Sequence, residues 1–151
     1  MSYITGINLA AVDASPQFKP GSIGQTNDGK LYKYVEYSEE AAAVDGVIGE
    51  VAYYVAATGY GASQVTSDLS ASDEVGAGVL QAALSEGEWG WVQIKGFATL
   101  SIAFTAGADG DPMTPTGSAD GTLDVSALVT DAVCCIAGDA SANELLCDFP
   151  F

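Results

Sequence analysis

The chain has 151 residues and a formal net charge of −16, because 20 acidic residues face only four lysines, with no arginine and no histidine. We expect no nucleic-acid or membrane partner, since anionic phosphates and lipid surfaces are bound through Lys and Arg. Histidine is the usual general base and the commonest metal ligand, so its absence predicts a chain that is not an enzyme and holds no metal or other cofactor. The length predicts one domain with its own core.

The first 17 residues mix apolar and polar side chains without a helical or strand period, and they end around Pro16. We therefore predict an extended N-terminal arm over residues 1–17 and a single β-rich domain over residues 18–151. The apolar residues Ile4, Ile7 and Leu9 pack either on the body of the domain or on a neighbouring subunit. Their apolar character favours a contact role over ordinary terminal disorder.

A β-hairpin is predicted over residues 21–37. The pair Asp28-Gly29 is a strong signal for a tight turn, since such turns need a positive φ. Aromatic and β-branched residues then alternate with charges over residues 31–37, as in a half-buried strand. Tyr32 and Tyr34 share one face of this strand, and the core is the favoured place for them. Residues 38–44 follow as a short helical turn.

The middle of the chain is predicted to hold two strands and a long loop. Residues 47–55 are apolar and β-branched, which predicts a buried strand. Residues 56–74 are small, polar and rich in turn formers, so we expect an irregular loop with one short helical turn near residues 67–70. Residues 75–84 form the next strand, and its glycines allow a bend or a close backbone approach.

The segment from Gly87 to Leu100 holds both tryptophans and alternates large and small residues. It predicts two strands joined by a kink at Gly96. Trp89 and Trp91 share one face of the first strand. Core packing is expected for at least one of them, while the other packs in the core or contacts a partner, because aromatic residues dominate interface hot spots. Stacking on sugar rings is a further use of such a pair.

The C-terminal third predicts short strands at residues 112–113 and 123–125 and a final hairpin from residues 131–137 and 144–149. Seven or eight short strands with little helix indicate an all-β fold. We predict a small antiparallel β-barrel or sandwich, with an extended N-terminal arm and at most one or two short helical turns.

The polar candidates for chemistry all have simpler explanations. Free buried thiols are favoured for the cysteines, and a bridge from Cys147 to one of the other two is the alternative. A carboxylate pair at Glu86 and Glu88 has nothing else in the chain to support glycosidase chemistry. Four aspartates in a Gly-rich stretch offer calcium ligands, but they do not match an EF-hand and solvated turns are favoured. These groups are Cys134, Cys135 and Cys147, and Asp109, Asp111, Asp120 and Asp124.

Three stretches resemble one family of small phage proteins. The first is Pro20-Gly21 with residues 27–35 (Asn-Asp-Gly-Lys-Leu-Tyr-Lys-Tyr-Val), the second is residues 88–96 (Glu-Trp-Gly-Trp-Val-Gln-Ile-Lys-Gly), and the third is the closing hairpin over residues 132–149. They resemble the first hairpin, central strand and closing segment of capsid decoration (cement) proteins, which tailed phages encode beside the major capsid protein. The resemblance spans most of residues 18–151 and leaves the arm and the 56–74 loop unmatched.

The resemblance implies a virion protein made in the host cytoplasm and bound to the outer surface of an expanded capsid, with the major capsid protein as its partner. It also implies a β-rich subunit that forms a homotrimer. The alternative is a carbohydrate-binding head-fibre or adaptor module that uses the tryptophans. There is no signal peptide or transmembrane pattern. The expected partner-binding residues are Ile4, Ile7, Leu9, Phe18, Trp89 and Trp91.

Overall fold

The computed structural model describes residues 2–59 and 61–151, so Met1 of the predicted arm and Tyr60 of the predicted loop lie outside the described residues. Strands make up 39% of the chain and helix 6%, all of it in isolated 3-10 turns, which confirms the all-β class. The strands are β1 Ile4–Thr5, β2 Ile23–Gln25, β3 Leu31–Tyr37, β4 Val51–Val55, β5 Gln64–Thr66, β6 Ser72–Leu80, β7 Trp89–Thr99, β8 Pro112–Thr114, β9 Asp124–Val125, β10 Cys135–Asp139 and β11 Glu144–Asp148.

Five strands close into a barrel in the order β3, β5, β4, β6, β7 and back to β3. Most neighbours in this ring are antiparallel, as predicted. The exception is the pair β3–β5, which is parallel and joins Glu36 to Gln64 and Tyr37 to Val65. Closure leaves no free edge around the ring itself, which is the usual way for a small β protein to protect its sheet edges.

The strand that completes this ring lies in the segment predicted to be an irregular loop, so that prediction was wrong for residues 64–66. It was also wrong for residues 72–74, which begin β6. β5 has only three residues, and the small and polar residues around it hide the strand signal. Its stability comes from long-range pairing with β3 and β4, which local sequence does not report. The loop also contains the predicted helical turn, Leu69–Ala71, whose first residues are capped by the Asp68 side chain accepting from the Ser70 N–H.

Two further 3-10 turns lie at Glu40–Ala42, in the segment predicted to turn, and at Ala140–Ala142 between the last two strands, where no turn of helix was expected. Asp139 explains the second of these. Its carboxylate accepts hydrogen bonds from the main-chain N–H groups of Ser141 and Ala142, so it acts as an N-cap. The described residues thus hold three such turns, one more than expected.

β7 is one continuous strand rather than two, and it organises the whole molecule. Its first half pairs with β3 and β6, and its second half pairs with β11. The bend at Gly96 is present as a left-handed residue with φ of 95°, which is why glycine fits there. At Gly78 a Cβ would lie 2.7 Å from the Val92 Cβ, so glycine lets β6 approach β7 closely.

Beyond β7 the sheet continues through β11, β10, β8 and β9, all antiparallel, so the predicted closing hairpin is confirmed. One large buried cluster fills the barrel and extends under these outer strands. Its members include Tyr53, Met113, Leu145, Cys147 and Phe149. On the other flank β2 pairs with β3, and β1 lies parallel to β2. Within the described residues, no helix has the length and apolar character needed to cross a membrane.

Candidate partner-binding surface

The six residues that the sequence marked for partner binding come together in one place. Ile4, Ile7, Leu9, Phe18 and Trp89 are partly buried around a buried centre of Tyr32, Tyr34 and Trp91. We call these eight residues the arm cluster. The contacts are within one chain, because the arm packs on its own barrel. These contacts agree with packing in the core of the same chain. A role for the six residues in binding a partner stays a prediction.

Tyr34 is the centre of the arm cluster. Its ring lies 5.2 Å from the Phe18 ring in an edge-on arrangement, 5.0 Å from Trp91 and 5.8 Å from a stacked Trp89. Such pairs stabilise a fold beyond the area they bury. Trp91 is 1% exposed and Trp89 is half-buried against Tyr34. The two indoles therefore offer little open ring surface for a sugar to stack on.

Hydrogen bonds fix the arm at Asp13. Its main-chain N–H donates to the Trp89 carbonyl at 2.9 Å, and the Trp89 N–H donates back to the Asp13 carbonyl at 2.8 Å. The Tyr34 hydroxyl donates to the Asp13 carboxylate at 2.5 Å and accepts from the Gln17 N–H at 3.2 Å. Burial, together with the Asp13 hydrogen bond, raises the pKa of Tyr34 to about 12. The hydroxyl therefore stays protonated at neutral pH.

A second apolar surface crosses the sheet beyond β7. Phe97, Leu146 and Ile136 are directly opposite one another on β7, β11 and β10, and they are 60%, 42% and 41% exposed. Pro112, opposite Ile136 on β8, is exposed as well. We call these four residues the apolar row. Alternate residues of the same strands point inward to the core, as strand geometry requires.

The apolar row has charged neighbours on both sides. On one side Lys95 forms an ion pair with Asp148 across β7 and β11. On the other side the next cross-strand positions are Thr99, Glu144 and Asp139. Two more carboxylates lie near this end, because one accepts from the Ala140 N–H and the other immediately precedes Pro112. We call this group the acidic border: Asp109, Asp111, Asp139 and Glu144.

A cleft of about 490 Å³ lies beside the apolar row. The residues that line it include Lys30, Ile48, Gln81, Phe97, Thr99 and Glu144. This cleft, called the β7 cleft below, is continuous with the row because Phe97 belongs to both. Its volume falls in the range of ordinary ligand sites, although its position along a strand suits an elongated occupant.

The predicted polar sites do not assemble. Across residues 2–59 and 61–151 no group of three or more Cys, Asp or Glu side chains is placed to hold a metal ion. Asp111 accepts from the Ala108 N–H, Asp120 from the Leu69 N–H and Asp124 from the Val125 N–H, so these side chains fix turns. Glu86 and Glu88 likewise accept from main-chain N–H groups, of Glu39 and Ser85 respectively.

The three cysteines are buried and free, as favoured from the sequence. Cys135 and Cys147 are opposite each other on β10 and β11 on the inward face. Burial raises the pKa of the Cys135 thiol, so it is a poor nucleophile in the folded chain. The three side chains contribute to packing of the main core.

Comparison of this chain with protein-family models, with curated proteins and with solved structures finds no match.

The apolar row was missed by the sequence reasoning, although one signal pointed to it. Leu145 and Leu146 are consecutive in a strand, so one of them has to face outward. The same holds for Cys135 and Ile136. The pattern alone does not say which of each pair is exposed, because both residue types in each pair are apolar. The cross-strand register decides it.

Proposed function

We propose that this chain is a structural, non-enzymatic virion protein. It binds the outer surface of an expanded tailed-phage capsid and stabilises the shell as a homotrimer attached to the major capsid protein. The observation that carries the proposal is the apolar row with its acidic border, an uncovered apolar surface on hydrogen-bonded strands. Exposed apolar patches on soluble proteins mark interaction sites.

The rigidity of this surface supports a structural role. The row lies across four paired strands, so the positions of its side chains are set by main-chain hydrogen bonds. Binding then costs little conformational entropy. The row is small, and one copy would form only a weak contact. A trimer on a repeated shell engages several sites at once, and such multivalent binding exceeds the affinity of any single contact.

Two surfaces could cover the apolar row: the phage shell and a second copy of this chain. Charge favours the shell. Two acidic borders facing one another would repel, in a chain that already carries −16. A shell surface with Lys or Arg around an apolar patch is complementary in both properties. Binding that favours the assembled, expanded shell then stabilises that state by mass action.

The test uses expanded shells that lack the protein. Wild-type chain is expected to co-sediment stoichiometrically with them and to raise their melting temperature. The double variant Phe97→Ser/Leu146→Ser replaces two of the four apolar side chains of the row and is expected to lose binding while keeping its own melting temperature. Val129→Ser is the matched control, since Val129 is fully exposed outside the row. Failure of the wild-type chain to bind would overturn the proposed function. Normal binding by the double variant would instead exclude the row as the docking surface.

A further inference from the structure

We infer that the β7 cleft accepts an extended, lysine- or arginine-bearing segment of the partner, which adds to the sheet as a strand beside Phe97 and Thr99. The inference rests on the proposed function, because the partner segment is taken to belong to the shell subunit. It adds the mode of binding and the chemistry of the segment.

The pairing of β7 with β11 sets which main-chain groups of β7 are already hydrogen-bonded. The Leu100 N–H donates to the Asn143 carbonyl, and the Phe149 N–H donates to the Ile94 carbonyl. In an antiparallel pair, hydrogen-bonded and non-hydrogen-bonded positions alternate. Even-numbered residues of this half of β7 therefore bond to β11. The main-chain groups of Phe97 and Thr99 point the other way, into the β7 cleft.

The side of β7 that faces away from β11 is open over a short stretch. β3 pairs with β7 only as far as Lys95, and beyond the strand the Ser101 N–H donates to the Gly49 carbonyl. Between these two points no strand among residues 2–59 and 61–151 pairs with β7 on this side. The gap exposes the N–H groups of Phe97 and Thr99 to the cleft.

A side chain already occupies part of this edge. The Gln93 amide nitrogen donates to the Phe97 carbonyl at 2.8 Å and to the Lys95 carbonyl at 3.2 Å. Gln93 is 3% exposed, so the amide covers these acceptors from within the fold. The acceptors at the Lys95 end are thereby satisfied, while the donors at Phe97 and Thr99 remain for an incoming strand. Unpaired edges of this kind are templates for strand addition.

Charge and side-chain positions define the occupant. A strand in the cleft lies next to Phe97 and close to Glu144, which is exposed and directly opposite Thr99. Of the four lysines, Lys30 lines the cleft, and its ammonium is in an ion pair with Asp28. Lys95 is in an ion pair with Asp148 and Lys33 is buried, so the chain supplies little free positive charge of its own. The apolar row and the acidic border lie on the same face of the sheet, two residues apart along the strands, so an added strand meets both with one of its faces. That face needs an apolar residue beside Phe97 and a basic residue two positions away, beside Thr99 and Glu144.

The test uses wild-type protein and, as the probe, a short synthetic peptide in which valine and lysine alternate at every second position, with threonine between them, so that one face of the strand carries both. Binding is measured by calorimetry, and the amide hydrogen exchange of Phe97 and Thr99 is followed by NMR. A peptide of the same sequence with alternate main-chain nitrogens methylated is the control, because it keeps charge and side chains and cannot pair along one edge. The expected result is slowed exchange of both amides with the first peptide and at least about tenfold weaker binding of the second.

A variant pair gives an independent measurement. Thr99→Pro removes one main-chain donor that points into the cleft and leaves the bonds to β11 in place, so peptide affinity should fall about three- to tenfold. Thr99→Ala keeps the N–H and should bind as wild type does. Equal binding of the two peptides without amide protection would overturn strand addition, and so would no binding up to about 1 mM. Either result leaves the shell-binding measurement standing, so the two proposals fail separately.

Discussion

The arm cluster and the apolar row are two apolar surfaces built on the same strand, and they differ in what covers them. The first half of β7 carries Trp89 and Trp91, which lie under the chain's own N-terminal arm. The second half carries Phe97, which is 60% exposed. The strand therefore changes from a covered to an uncovered surface within a few residues, at the bend of Gly96.

The difference separates folding from binding. The arm cluster is closed by residues of the same chain, with Asp13 held by Trp89 and Tyr34. Its apolar residues therefore contribute to the stability of the isolated protein. The apolar row has the same kind of side chains in equally regular strands, and nothing in the described part of the chain covers it. Apolar residues that stabilise nothing in the free protein are the ones we expect to serve a partner.

Matched aromatic truncations give the largest expected contrast. Trp91→Ala should lower the free energy of unfolding by about 3–5 kcal/mol, because the indole is fully buried and its loss leaves a cavity. Phe97→Ala should change it by less than about 1 kcal/mol, because most of that ring is in solvent in the folded state. Urea unfolding of both variants measures the difference. Similar losses for both would mean that the apolar row is part of the folding core and that the two surfaces do not differ in role.

Local pattern was enough to predict the regular strands. Alternation of aromatic and charged residues identified β3, and the apolar runs on either side of Gly138 and Asp139 identified β10 and β11. The turn at Asp28-Gly29 was readable because a glycine with positive φ is required there, and Gly29 has φ of 81°. These features depend on residues that are neighbours in the sequence, so the sequence contains the information.

Features set by distant residues were not predictable in this way. β5 is a strand because of its pairing with β3 and β4, not because of its own three residues. The choice between Leu145 and Leu146 for the inward position depends on register with Ala98 and Phe97 on β7. The six predicted partner-binding residues are all apolar or aromatic, which the sequence shows directly. Their mutual contact depends on where the arm lies, which only the fold determines.

The hydrogen bond between Tyr34 and Asp13 allows a second test of the difference between the two surfaces, with a smaller expected effect. Asp13→Ala removes the acceptor of the Tyr34 hydroxyl and should lower the free energy of unfolding by about 1–2 kcal/mol. Asp13→Asn keeps an oxygen acceptor and should lose less. Hydrogen exchange at Ile4 and Thr5 should quicken in Asp13→Ala, because Ile4 packs in the arm cluster around Tyr34. The amides of Ala98 and Leu146, which are hydrogen-bonded in the strands that carry the apolar row, are the internal control. If they quicken equally, the arm and the row are not independent regions.

Alkaline pH should weaken the contact between Tyr34 and Asp13 in the wild-type chain. The unfolded tyrosine ionises near its ordinary pKa of 10.0, while the folded pKa of Tyr34 is raised to about 12, chiefly by burial. The stabilising effect of the protonated hydroxyl is therefore complete below pH 10 and is lost as the pH rises toward 12. Burial also raises the pKa values of Tyr53 and Tyr54. Their protonated hydroxyls therefore stabilise the fold below pH 10 in the same way, and they add to the stability lost at alkaline pH.

Tyr34→Phe isolates the part of this effect that belongs to the arm. The variant has no ionisable hydroxyl at this position, so tryptophan fluorescence of the arm cluster should change less between pH 10 and 12 than in wild type. The signal reports on this cluster alone, because both tryptophans of the chain lie in it. An identical fluorescence change in both proteins would show that the alkaline transition starts elsewhere, with the buried Tyr53 as the first alternative. In that case the Asp13–Tyr34 bond would hold the arm without setting its pH limit.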